Sequence, residues 1–182
     1  MMGHNFVGTL AIAVLLLTTP RITAQSLSLE IDLGDLETWI SNNTALAIAS
    51  DGYQIVSPSG ILDPVNWRSI DDAVALDPAA VTAALGSGAL SFTEGAPTST
   101  HLTEFDVVST ATWPPGTRWS LGFPFGTSLA QFQSRPFDAH FEYTSLFGSV
   151  IAGSIEFIPE PATLTFVVTA LVGLVIAGRR RN

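Results

Sequence analysis

The chain has 182 residues, with 7 basic residues, all arginine, against 16 acids and a formal net charge of −9. A surface this acidic repels phosphate backbones, which excludes nucleic acid as a partner. Cysteine is absent, so disulfides, thiolate metal sites and cysteine nucleophiles are excluded too.

Phe6 to Leu17 is an uncharged apolar run of 12 residues, followed by a helix-breaking Pro20. The run suits the core of a secretory signal peptide and is short for a membrane span, which needs about 20 residues. Residues 1–24 are therefore expected to direct export, with cleavage between Ala24 and Gln25. The segment before the run carries no Lys or Arg, so a retained N-terminal anchor is the other reading.

Residues 25–158 read as one exported domain. Three arginines oppose 15 acids there, which leaves −12. Short alternating runs are punctuated by Gly, Pro, Asn and Asp, the pattern of an all-β domain. Leu27 to Leu33 alternates apolar and polar residues and predicts a half-buried strand. Leu36–Ser41, Leu46–Ala49 and Tyr53–Ser57 predict three more, the last two joined by a hairpin turn at Asp51-Gly52. Asp77 as N-cap, Pro78 at the first helical position and Gly86 after the end predict one short helix. Further strands are expected at Leu90–Thr93, Leu102–Val108, Arg118–Phe123, Phe137–Thr144 and Ser149–Phe157, with a turn at Trp113–Gly116. This is the signature of a mainly β, antiparallel sandwich or jelly-roll-like domain with a short helical insertion.

Three groups of residues have the chemistry for a site. Asp138, His140 and Glu142 share one face of a strand and could bind a divalent metal. Otherwise Phe137, Ala139, Phe141 and Tyr143 pack inward and the polar face is simply solvated. Glu30, Asp32, Asp35 and Glu37 cluster across a turn, where carboxylates and carbonyls could hold Ca²⁺. The plainer role is a charged edge strand that resists aggregation. Trp67, Trp113 and Trp119 offer aromatic faces for a carbohydrate-binding surface, Trp113 being the one expected in solvent beside its two prolines. No Gly-x-Ser-x-Gly elbow and no phosphate-binding loop is present, so catalysis is not expected.

The last 24 residues are the most specific part of the sequence. Pro159-Glu160-Pro161 precedes a 17-residue apolar run, Ala162 to Gly178, and the basic end Arg179-Arg180-Arg181-Asn182. As a helix the run spans about 26 Å, close to a bilayer core, with the arginines as the cytoplasmic stop. In this order the three features resemble the PEP-CTERM sorting signal of Gram-negative bacteria. The resemblance implies a substrate of an exosortase, recognised at Pro159–Pro161 and passed from the inner membrane to the cell surface or an extracellular polymer. The stretch from Trp39 to Trp67, with Asn42, Gly52-Tyr53, Ser57, Gly60 and Trp67, also resembles the opening of a domain in exported planctomycete-type PEP-CTERM proteins. That likeness implies a fold and not a reaction; with the sorting tail and the acidic, lysine-free surface, the expectation is a non-catalytic, exopolysaccharide-associated protein.

Overall fold

The structure is a computed structural model and describes residues 26–145 and 148–159. The expected signal segment and cleavage site (Ala24, Gln25), Glu160, Pro161, the apolar run and the terminal arginines lie outside the described residues. Among the described residues no helix is long and apolar enough to cross a membrane.

The alternation in the first run becomes strand β1 (Ser28–Asp32). Leu27, Leu29 and Ile31 are fully buried. Each such side chain contributes about 2 kcal/mol by leaving water. β2 (Thr38–Ser41) pairs antiparallel with β1 and, on its other side, with β7 (Arg118–Ser120). β10 (Ser154–Ile158) pairs with β1 in parallel and completes a first sheet ordered β10-β1-β2-β7.

The second sheet is built around β3 (Ile48–Val56). β4 (Thr93–Glu94), β5 (His101–Phe105), β3, β8 (His140–Ser145) and β9 (Ser149–Ala152) follow in that order, and β6 (Ala111–Trp113) also pairs with β3. Inward side chains of both sheets, including Leu29, Ile40, Ile55, Leu102 and Phe141, form one buried cluster. The molecule is mainly β, as the alternation predicts.

The hairpin expected at Asp51-Gly52 is not formed. β3 runs straight through the pair. The pairing with β8 shifts between Ser50 and Gly52, so Asp51 is the extra residue of a bulge. Gly52 is needed because β5 lies close: a Cβ there would sit 2.7 Å from the Glu104 carbonyl oxygen. With partners on both flanks, the ladder outweighs a local turn preference.

Other boundaries move for identifiable reasons. The strand expected at Leu90–Thr93 is instead a 3-10 turn (Ser87–Ser91) and the two-residue β4. The strand expected to reach Val108 stops at Phe105, where Asp106 folds the chain back by accepting hydrogen bonds from the Val108 and Ser109 amides at 2.8 and 3.1 Å. The run Ser149–Phe157 breaks at Gly153, where the chain leaves the second sheet and joins the first. Helix α2 (Pro78–Leu85) forms as expected, with Asp77 capping the Ala80 amide at 3.0 Å and Gly86 at φ 78°. A helix before it, α1 (Ile70–Leu76), and a short α3 (Leu129–Gln133) were not expected.

Asn42 organises the end of the domain where β2 stops. It is fully buried. Its amide donates to the carbonyls of Leu46 and Trp113 at 2.8 and 2.7 Å, and its oxygen accepts from the Thr44 amide and hydroxyl at 3.0 and 2.7 Å. Asn42→Ala is expected to cost about 2–3 kcal/mol, because the buried bond to the Trp113 carbonyl and three part-buried bonds are lost at once. A urea midpoint unchanged from wild type would contradict this.

Candidate functional site

The residues proposed for a metal site are not brought together. His140 and Glu142 lie on the outer face of β8, His140 exposed beside Val56 of β3. Glu142 accepts a 2.6 Å hydrogen bond from the Gln54 side-chain Nε2. Asp138 precedes the strand and turns away from both. It accepts from Ser57 Oγ at 2.6 Å, the Ser59 amide at 2.7 Å and Ser59 Oγ at 2.9 Å. The Ser57 bond, helped by Ser59, holds its carboxyl below the usual range. The other face behaves as expected: Ala139, Phe141 and Tyr143 are buried.

The acidic turn is likewise committed to protein partners. Asp32 and Asp35 accept from the amides of Gly34 and Glu37 at 2.7 and 2.9 Å. Glu37 accepts from Ser120 at 2.7 Å. Glu30 pairs with Arg118 at 2.8 Å, and Arg118 lies 3.6 Å above the Trp39 ring. Among the described residues no group of three metal-capable side chains forms.

The tryptophans expected to offer an exposed aromatic face do not form one: Trp113 and Trp67 are buried. Trp113 is fully buried rather than exposed, its indole N–H donating to Ser50 Oγ at 2.8 Å. Trp67 is 5% exposed. Pairing of β6 with β3 carries Trp113 into the core despite the two prolines that follow it. A shallow groove of about 180 Å³ does lie on the outer face of the second sheet, over Gly52, between Phe105 and Val150.

One site residue carries almost no local signal. Glu104 sits on the inward face of β5, fully buried. It accepts from the amides of Ile70 and Asp71 at 2.8 Å each and from the Tyr53 hydroxyl. It therefore clamps the start of α1 to the sheet, beside Ser69, which caps the Asp72 amide at 2.9 Å. Burial raises its carboxyl from 4.5 to about 7, against the pull of the three donors. Burial, and then the Glu104 charge, also push Tyr53 well up. The Trp67 indole N–H has no hydrogen-bond partner among the described residues, and its proximity acts the other way on Tyr53. Only the parity with Leu102, two residues earlier and also buried, hinted that Glu104 faces inward.

The exit of the chain is the remaining feature of functional interest. Because β10 runs parallel to β1, it ends level with Asp32. The Leu33 amide donates to the Ile158 carbonyl at 2.9 Å and holds that last rung closed. Pro159, the first residue of the expected sorting triplet, follows at once and is exposed. At this end α3 covers a set of aromatic rings: Phe125, Phe132, Phe137 and Phe157 have centroids 5.1–6.4 Å apart where they meet. Comparison with protein-family models, curated proteins and solved structures returned no match.

Proposed function

We propose that this protein is an exported, non-catalytic β-sandwich of jelly-roll type that an exosortase sorts from the inner membrane to the cell surface or extracellular polymer. The observation that carries the reading is the order Pro159-Glu160-Pro161, 17 apolar residues, three arginines. The described domain supports it in one respect. Its last strand ends at Ile158, so the triplet begins where the folded domain stops. Two prolines continue neither helix nor ladder, a composition that suits a recognition segment. Asp138 and Glu142, two of the three candidate metal ligands on that strand, are engaged in structural hydrogen bonds, which suits a module whose task is to be displayed.

The test is mass spectrometry of the mature C-terminus from cell-surface and membrane fractions of the native host. The expected product ends near Pro159–Pro161 and lacks the apolar run. A chain that always ends in Arg181-Asn182, confined to the inner membrane, would overturn the sorting reading.

A further inference from the structure

The exit geometry specifies what lies next to one end of the domain. We propose that, while the chain is anchored, the end face carrying α3 and Phe157 rests on the lipid surface. This rests on the reading of residues 162–178 as a membrane segment.

Three residues, Pro159 to Pro161, separate the last strand residue from the apolar run. Fully extended they reach about 10 Å. A 134-residue domain has a radius of gyration of about 14 Å. It cannot hang clear of the bilayer on such a tether, and the face around Ile158 must meet the headgroup layer.

That face has the surface for the contact. Phe157 is 45% exposed, although it lies on the inward side of β10, because β10 is the edge of its sheet. It packs edge-on against Phe137 and Phe132, at 5.1 and 6.4 Å, and both of those rings are only half-buried. Partly exposed aromatic side chains settle at the boundary between headgroups and acyl chains. The charges nearby decide the lipid class. Asp32 and Asp35 stand in the turn that bonds to Ile158, and Arg135 follows α3. The acids oppose an anionic surface, so the contact is apolar and made with neutral lipid, and salt should change it little.

The absence of cysteine makes the test direct. Single cysteines are placed at Gln133 on α3 and at Phe157, with Leu46 as control. Leu46 is 55% exposed and lies at the opposite end, held by Asn42. Thr165→Cys reports on the apolar run. The full-length chain, labelled with bimane, is reconstituted into phosphatidylcholine vesicles containing doxyl-labelled lipid. The expected result is quenching at residues 133 and 157 by about twofold or more, with the Leu46 position unaffected. Gln133 is exposed and bears no packing load, so Q133C decides the matter even if F157C fails to fold. Quenching at Thr165 alone would keep the membrane reading and overturn this one. No quenching at Thr165 would remove both. Labels at 133 and 157 that are shielded from aqueous iodide yet unquenched by lipid would show a second protein copy on this face, and would also overturn the proposal.

Discussion

Gly153→Val is expected to unfold the domain or to lower its stability by about 3 kcal/mol or more. Gly153 is where the chain crosses between sheets. Its amide donates to the Phe141 carbonyl at 2.9 Å in the second sheet, while the next amide, of Ser154, donates to the Leu27 carbonyl at 3.3 Å in the first. A Cβ at this position would overlap the Phe141 ring and stand 2.8 Å from the Leu27 carbonyl oxygen. Neither can yield. Phe141 is 2% exposed and packed among core side chains, and Leu27 leads into β1. Relief would require β10 to detach from β1, which would uncover Leu29 and Ile31. Ser154→Ala, at an exposed neighbour, should change stability by no more than about 0.5 kcal/mol. Urea unfolding monitored by tryptophan fluorescence measures both, and a G153V midpoint matching that of S154A would refute the crossing argument.

Glu104→Gln is expected to remove a large pH dependence of stability. Folding raises the Glu104 carboxyl from 4.5 to about 7, because burial disfavours its charge more than the amides of Ile70 and Asp71 and the Tyr53 hydroxyl favour it. The folded state therefore holds this proton more tightly than the unfolded state does. The stabilising contribution is complete below about pH 4.5 and is lost as pH rises through about 7. Its size is about 3 kcal/mol. Gln resembles the protonated form and cannot titrate. Wild type should thus lose about 3 kcal/mol relative to E104Q between pH 4.5 and 7.5, while the shared titration of other groups cancels in the difference. A difference that stays flat over this interval would show that Glu104 keeps an ordinary affinity for its proton. The neighbouring acid Asp71 adds to the effect, since its charge further opposes ionisation of Glu104.

Where the sequence was legible, the signal was short in range. Leu27, Leu29 and Ile31 alternate with polar residues, and all three are fully buried. Asp77, Pro78 and Gly86 mark the two ends of α2 because a helix end must satisfy its own amides and carbonyls within a few residues. Phe141 and Tyr143 share a face by the two-residue period of a strand, and both are in the core. Where it was illegible, the deciding partner was distant in the chain. Asp51-Gly52 has the composition of a tight turn, but β5 and β8 lie on either side of it, and their ladders hold it extended. Asp138 looked like a member of a metal triad, but Ser57 and Ser59, about 80 residues earlier in the chain, take both of its oxygens.

The sequence alone determined the acidic, lysine-free and cysteine-free character of the chain, its mainly β class, the caps of α2 and the expectation of a sorted C-terminal tail. These follow from composition and from contacts between residues a few positions apart. Tertiary structure decided the rest. It placed β10 parallel to β1, which sets the end of the domain from which the tail leaves. It buried Trp113 and Glu104 and dispersed the candidate metal ligands. Each of these outcomes depends on which strands become neighbours across 50 or more residues, as with Tyr53 and Glu104 or Gln54 and Glu142. Such pairing is selected by the packing of the whole core, so no local run of residues could have announced it.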